Sequence, residues 1–191
     1  MTGTGYARGR GGSRWRVLGW GALGALLLAP AVAMRFTDEM RWDETDFIVF
    51  GLMLGSVGLL AEFVARKPGG AAYRLGAAAA ILVSFLTVWA NLAVGMIRSE
   101  DDPYNLLFAG VVVLAWAGAM LARWRPGGMA WAMAAAAAAQ ALAAVGGMAS
   151  DPRGGVFSLL FAGPWLAAAG LFWMAGRWRE RREKLQVPEL R

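Results

Sequence analysis

The side chains of this chain that could do chemistry are carboxylates and amides, because the sequence contains neither cysteine nor histidine. Disulfides, cysteine-held iron–sulfur clusters, His-ligated haem and imidazole bases are therefore excluded. We expect no cofactor of these kinds. The ten methionines fall mostly on apolar stretches, where they are predicted to fill space rather than to hold a metal.

Carboxylates are concentrated in two short segments. Residues 35–46 read RFTDEMRWDETD, and residues 99–105 read SEDDPYN. Thr45 or Asp46 is a fair N-cap for a helix after the first segment, and Pro103 suits the first turn of a helix after the second. Capping accounts for only a few of these carboxylates, so the others require a different explanation.

The remaining carboxylates predict a site for a ligand or a partner. Oxygen ligands from the two segments could hold a hard divalent cation, or could bind a basic partner, although no EF-hand spacing is present. A solvated acidic rim without any ligand is the alternative. The candidate residues, with neighbouring aromatic and amide groups, are Glu39, Trp42, Asp46, Asn91, Glu100, Asp101, Asp102 and Asn105.

Three polar side chains interrupt apolar stretches: Glu62, Asn91 and Gln140. An isolated charge at the centre of a membrane costs at least about 2.5 kcal/mol, so such residues are the usual starting point for a site. Arg66 lies one helical turn after Glu62, and an ion pair explains that carboxylate without a function. The amides could form hydrogen bonds between helices. No polar stripe connects Asn91 with Glu62, which argues against an ion pathway.

Long apolar runs must position these residues. The chain is 58% hydrophobic and 17% charged, which is more apolar than the roughly 45–50% of soluble domains. Each run approaches the roughly 20 residues that a helix needs to cross a bilayer, and backbone groups in lipid must be satisfied within the segment. The sequence therefore predicts an all-α integral membrane protein with six transmembrane helices. The predicted spans are 17–34, 47–65, 73–97, 105–122, 128–149 and 156–176.

Charge predicts the orientation of these spans. Lys and Arg are concentrated in the two tails, 1–16 and 177–191, and in the connections near 66–74 and 123–125, whereas acidic residues fill the other three connections. Positive residues near span ends are retained in the cytoplasm, so both termini are predicted to be cytoplasmic, flanking a membrane domain at 17–176. The net charge of +6 then reflects topology and contact with lipid headgroups, and we expect no nucleic acid partner.

The first apolar run has an alternative interpretation. A basic start, an apolar stretch and the A-x-A of residues 31–33 would also suit a cleaved signal peptide. Five spans would then remain. The run is long for a signal peptide, so an intact first span is the prediction.

An internal repeat accompanies the spans. Residues 106–110 and 159–163 both read LLFAG, and each copy follows an Asp-Pro pair and precedes an R-W-R. The first two spans fit the same plan more loosely. The sequence therefore predicts three αα-hairpins in parallel repeat, a relation that also occurs in some transporters.

One part of the sequence resembles a known family. Residues 34–47 (MRFTDEMRWDETDF), Tyr73 with Arg74, the WAN of residues 89–91 and residues 95–107 (GMIRSEDDPYNLL) are similar to a family of small bacterial polytopic inner-membrane proteins that has no assigned activity. The resemblance implies a bacterial inner membrane and carries no chemistry with it. It also implies that a site would lie at the outer edge, where Pro103 joins the candidates.

Three classes of function are compatible with these observations. The first is a non-catalytic accessory, assembly or sensing module whose acidic outer edge meets a ligand, a membrane-protein partner or a second copy of the chain. The second is a small-solute or cation transporter, which the lack of a polar lining and of a span broken at mid-membrane disfavours. The third is an interfacial lipid-modifying enzyme, for which no nucleophile, base or phosphate motif is recognisable. We therefore do not expect catalysis.

Overall fold

The computed structural model describes residues 10–37, 41–67 and 69–185, which form helices joined by turns and loops and contain no strand. The all-α prediction is thus confirmed for this part of the chain. A short 3-10 helix at Pro103–Asn105 precedes α4. The α-helices are α1 (Arg10–Ala33), α2 (Glu44–Arg66), α3 (Ala71–Ala93), α4 (Leu106–Leu121), α5 (Pro126–Gly147), α6 (Pro152–Leu160) and α7 (Ala162–Leu185).

Six helical segments of the described chain are long and apolar enough to cross a membrane, as predicted. Their ends differ from the predicted ends by a few residues. The differences reach four residues at α3, which ends at Ala93 rather than at residue 97, and at the sixth segment, which begins at Pro152 rather than at residue 156. Gly95 has a φ of 73°, in the left-handed region, and this conformation turns the chain into a loop. The six segments are Arg14–Ala33, Glu44–Arg66, Ala71–Ala93, Pro103–Leu121, Pro126–Gly147 and Pro152–Arg179.

The helix of the sixth span is interrupted at a single residue, within a segment that is long and apolar enough to cross a membrane as one span. Its helix stops at Leu160, and α7 begins at Ala162 after a single turn residue, Phe161. Pro164 explains the interruption, because proline has no N–H to donate to the carbonyl four residues earlier and its ring clashes with that carbonyl. Phe161 lies about 14 Å from the beginning of this segment at 1.5 Å per residue.

The chain divides into two compact units, one up to Arg66 and one from Lys67 onward. In the first unit, α1 packs against α2, with Leu27 beside Gly51 and Trp20 beside Gly58. Among the α1 residues with described side chains, only Pro30 is buried. Most of the α1 surface is therefore apolar and exposed, as a lipid-facing helix requires.

The second unit has a packed core made by α3, α4, α5, α6 and α7. Small residues such as Ala136, Ala144 and Ala168 are completely buried and let the helices approach closely. Large side chains fill the remaining space. Among them, Trp165 and Phe172 of α7 are fully buried, and the Phe172 ring contacts that of Tyr73 edge-on with centroids 5.4 Å apart.

Candidate functional site

The connection between α3 and α4, residues 94–105, folds around the side chain of Asn105, which is only 3% exposed. The amide oxygen of Asn105 accepts hydrogen bonds from the backbone N–H of Met96 (3.1 Å) and of Ile97 (2.9 Å). Its amide nitrogen donates to the carbonyls of Ile97 (3.3 Å) and Ser99 (2.6 Å). One side chain thus satisfies four backbone groups of this 94–105 loop, which fixes the loop's conformation.

Two aspartates stabilise the 94–105 loop: Asp102 within the loop itself, and Asp151 at the beginning of α6. Asp102 caps the 3-10 helix by accepting from the N–H of Tyr104 (2.9 Å), and it pairs with the guanidinium of Arg98 (2.8 Å). Asp151 caps α6 through the N–H of Gly154 (2.9 Å) and also accepts from the backbone N–H of Arg98 (2.8 Å). Arg98 adopts a φ of 59°, an uncommon value for a residue with a side chain. The Asp151 contact therefore holds Arg98 in a strained conformation.

These contacts lower the pKa of both carboxyl groups. The backbone N–H of Tyr104, followed by the Arg98 guanidinium, holds the pKa of Asp102 below its ordinary value of 3.8. The N–H groups of Gly154 and Arg98 lower the pKa of Asp151 in the same way. Both groups are therefore ionised at neutral pH and engaged in holding the loop, and Asp102 is a structural residue rather than a free ligand.

The two predicted amide side chains, Asn91 and Gln140, form hydrogen bonds that join helices. Asn91 donates to the carbonyl of Asn105 (3.0 Å), which joins α3 to the beginning of α4. Gln140 is fully buried and donates to the carbonyl of Ser158 on α6 (3.0 Å), while the Ser158 hydroxyl donates to the carbonyl of Met96 (2.9 Å). Tyr104 reaches the carbonyl of Ala143 on α5 (2.8 Å). Hydrogen bonds of these side chains therefore join the loop, α3, α5 and α6.

Two predicted site residues of the loop remain available for a ligand. Glu100 and Asp101 are exposed and form no hydrogen bond or ion pair with the described residues. They follow directly on Ser99, whose carbonyl accepts a hydrogen bond from Asn105. They directly precede Asp102, whose carboxylate is bound by the N–H of Tyr104. We call these two residues the acidic tip. Their backbone is held in place by its neighbours, although their side chains are in solvent.

The acidic segment before α2, in the first unit, is arranged differently from the prediction. Asp43 is the N-cap: its carboxylate accepts from the N–H of Asp46 (3.0 Å), and the carboxylate of Asp46 accepts in return from the N–H of Asp43 (3.0 Å). The prediction of Thr45 or Asp46 as the cap is therefore wrong by a few residues, because this reciprocal capping box places Asp46 within the first turn. Trp42 packs edge-on against Phe47 and Phe50. Glu39 lies outside the described residues.

The predicted ion pair of Glu62 is present, and the carboxylate has more partners than expected. Arg66 binds the carboxylate at 2.9 Å, as the spacing of one turn predicted. Arg16 of α1 adds two hydrogen bonds of 3.0 and 2.9 Å, and the indole N–H of Trp20 donates a third at 2.8 Å. Glu62 therefore ties α1 to α2 at one end of the first unit. The prediction did not include Arg16 and Trp20, because they lie 46 and 42 residues before Glu62 in the sequence.

The sequence analysis also missed Arg98, Tyr104, Asp151 and Ser158. Asp151 had a usable signal, since an Asp before a Pro is the usual beginning of a helix. Arg98 and Ser158 had none, because their roles depend on the path of the loop. Among the residues that the structure describes, no group of three or more His, Cys, Asp or Glu could hold a metal ion.

Comparisons with protein-family models, with curated proteins and with solved structures find no match to this chain.

Proposed function

We propose that this chain is a non-catalytic multi-pass protein of a bacterial inner membrane, with both termini in the cytoplasm and an acidic outer face that binds a cationic partner. One observation carries the proposal. The acidic tip, Glu100 and Asp101, is exposed and forms no hydrogen bond or ion pair with the described residues, on a loop that Asn105, Asp102 and Asp151 hold in place.

The rigidity of the loop is what makes the acidic tip suitable for recognition. A binding loop that is already ordered loses little conformational entropy when a partner docks, so more of the contact energy appears as affinity. Two adjacent carboxylates suit a basic segment of another membrane protein, because Lys and Arg form strong charge-assisted hydrogen bonds with them. A divalent cation is the alternative occupant, and a second copy of the chain is the alternative partner.

The proposed orientation and repeat rest on charge and sequence. Basic residues flank the ends of the spans opposite to the 94–105 loop, which supports an outer position for that loop. The two LLFAG copies begin at Leu106, at the beginning of α4, and at Leu159, near the end of α6, so they lie at different points of their spans and the proposed repeat rests on the sequence alone. We propose that the six spans are three helix pairs in parallel orientation.

Labelling of single cysteines tests the orientation cleanly, because the native chain has none. Ser99→Cys and Arg181→Cys introduce thiols at exposed positions on the proposed outer and inner sides. A maleimide that cannot cross the membrane should label the first variant in intact cells and the second only after permeabilisation. The reverse pattern would place the acidic tip in the cytoplasm and contradict the proposal.

Photo-crosslinking in cells tests the partner. A photoreactive amino acid at Ser99, next to the acidic tip, should form an adduct with a specific membrane protein. That adduct should disappear when Asp101→Asn is added and persist with the matched change Glu44→Gln, which removes an exposed carboxylate from the other unit. An adduct that survives Asp101→Asn would show that the acidic tip does not select the partner.

Small-solute transport is the second candidate, and the broken sixth span favours it. Discontinuous membrane helices often form binding sites for solutes or ions, because their free backbone groups face a cavity. Gln140 reaches the carbonyl of Ser158 close to the break. Flux of a solute into proteoliposomes that is lost in Gln140→Leu and retained in Asp101→Asn would favour transport over partner binding.

A further inference from the structure

Four exposed arginines lie around one end of the second unit. They are Arg74 at the beginning of α3, Arg123 and Arg125 in the turn between α4 and α5, and Arg177 on α7. We call them the arginine patch. None of the four forms a hydrogen bond or an ion pair with a side chain that the structure describes, although three other arginines each bind a carboxylate. Because like charges repel, such a surface favours an anionic ligand.

A contact between α3 and the turn before α5 joins two parts of the arginine patch. The hydroxyl of Tyr73 donates to the carbonyl of Trp124 at 3.3 Å. Arg74 directly follows Tyr73, and the two arginines of the turn flank Trp124. The N–H of Trp124 donates to the carbonyl of Ala119 at 3.1 Å. The backbone that carries these arginines is therefore held in place, while their side chains are in solvent.

Helix α7 brings the fourth arginine to the same end of the unit. Gly176 lies against the beginning of α5, because a Cβ there would be 3.7 Å from the backbone nitrogen of Gly127. Arg177 directly follows Gly176, and Arg125 lies two residues before Gly127. The arginine patch thus extends over α3, the turn and α7 as one positively charged surface.

Two exposed tryptophans indicate the level of this surface relative to lipid. Trp131 is 79% exposed and Trp173 is 61% exposed. Each lies about one helical turn toward the apolar side from the contact between Gly127 and Gly176. Indole rings collect at the boundary between acyl chains and headgroups, so the arginine patch is expected at the headgroup level. The guanidinium carbon of Arg177 lies 5.5 Å from the centroid of the Trp173 ring, which joins the two features.

The chemistry of arginine favours phosphate as the anion. Its planar fork of N–H donors binds a phosphate group with two parallel hydrogen bonds, and phospholipids present phosphate at the headgroup level. Helices α3 and α5 both begin at this end without a side-chain cap, and their first N–H groups add to the positive potential. An acidic segment of a soluble protein is the alternative occupant, but the level of the tryptophans favours lipid.

We propose that the arginine patch binds the phosphate groups of anionic phospholipids and holds this end of the second unit against an anionic lipid surface. The patch is at the beginning of α3, whereas the 94–105 loop follows the end of α3. The proposal is therefore independent of the acidic tip and of its partner.

Binding of phosphatidylglycerol to the purified protein tests the proposal. The protein is titrated in neutral detergent with phosphatidylglycerol or with phosphatidylcholine, and bound lipid is counted by native mass spectrometry. We expect the native protein to prefer phosphatidylglycerol, and the triple variant Arg74→Gln, Arg125→Gln, Arg177→Gln to bind it at least about tenfold more weakly. Each basic residue beside an anionic lipid surface is worth about a fivefold change in affinity.

A matched variant controls for net charge. Arg35→Gln, Arg41→Gln and Arg153→Gln remove three exposed arginines that lie elsewhere on the described chain, and this variant should keep the native affinity for phosphatidylglycerol. The substituted side chains are exposed, so both variants should fold, which their melting temperatures verify. Equal losses of affinity in the two variants, an unchanged affinity in the patch variant, or equal binding of the two lipids by the native protein would overturn the proposal.

The salt dependence of the native protein gives a measurement that needs no variant. Salt screens interactions between exposed charges, so a tenfold rise in salt concentration should weaken the binding of phosphatidylglycerol and leave that of phosphatidylcholine unchanged. An affinity for phosphatidylglycerol that does not depend on salt would also overturn the proposal.

Discussion

The two units of this protein use similar apolar helices in different ways. In the first, α1 exposes most of its Leu and Trp side chains, and the polar contacts of the unit include the Glu62 cluster, which joins α1 to α2, and the Asp43–Asp46 capping box of α2. In the second, α5 buries much of its Ala-rich surface, and Asn105, Gln140 and Ser158 are buried with it. Apolar character predicts that a helix enters a membrane, whereas small residues and buried amides mark the helices that pack in a core.

Substitution of Asn105 should have the largest effect on the stability of the second unit. Asn105→Leu removes four hydrogen bonds and leaves the buried N–H groups of Met96 and Ile97 without partners. An unsatisfied buried group costs about 1–3 kcal/mol, so we expect a loss of at least about 3 kcal/mol in the free energy of unfolding. Unfolding in mixed micelles measures it. Asn91→Leu, which loses a single bond to the same loop, should cost less, and equal costs would contradict the account.

Close packing in the second unit can be tested at Gly155. A Cβ there would meet the backbone oxygen of Ala144 at 2.9 Å, and that carbonyl belongs to a buried helix that cannot move aside. Gly155→Ala should therefore reduce the free energy of unfolding by about 2 kcal/mol. Gly170→Ala is the control, because a Cβ at Gly170 would meet no atom within 4 Å. An equally mild effect at both glycines would show a loose core.

The first unit should tolerate the corresponding change better. A Cβ at Gly58 would meet only side-chain atoms, the indole of Trp20 at 2.7 Å and a methyl of Leu23 at 3.0 Å. These can shift, so Gly58→Ala should cost about 1 kcal/mol, less than Gly155→Ala. Gly55→Ala, with no atom within 4 Å, serves as the control in the same helix. A larger cost at Gly58 than at Gly155 would reverse the comparison.

Acidic pH should destabilise the 94–105 loop of the second unit, by less than the substitutions described above. The pKa of Asp102 and of Asp151 is lowered in the folded state, so their stabilising contribution is present above the ordinary pKa of 3.8 and disappears as the pH falls through the lower folded value. The difference in melting temperature between the native protein and Asp151→Asn should therefore shrink between pH 5 and pH 3. A difference that does not change with pH would show that the charge of Asp151 does not hold the loop.

The sequence predicted the local features of this fold well. Six apolar runs and the one-turn spacing of Glu62 and Arg66 depend on neighbours in the chain, and all are present. The break after Leu160 also had a local cause in Pro164, which the prediction did not use. Long-range contacts could not be predicted, because nothing near Arg16 indicates that it reaches a carboxylate 46 residues away.

The candidate residues were chosen from composition, and the packing shows which of them have structural partners. Asn105, Asp102 and Asp46 were chosen because polar groups near membrane surfaces often bind ligands, but each is used by a cap or a loop. The folded path of residues 94–105 decides which groups are used, and that path depends on contacts with α5 and α6. Glu100 and Asp101 are the predicted acidic residues of this loop that stay unpaired within the described chain.

Thermal unfolding of the purified protein with a panel of cationic ligands tests the central claim most directly. The panel contains divalent cations, spermidine and a short arginine peptide, applied to the native chain, Asp101→Asn and Glu44→Gln. A ligand that binds only the folded state raises the melting temperature by mass action. We predict a rise that is lost in Asp101→Asn and kept in Glu44→Gln. No rise with any cationic ligand, or an equal rise in Asp101→Asn, would contradict a recognition role for the acidic tip.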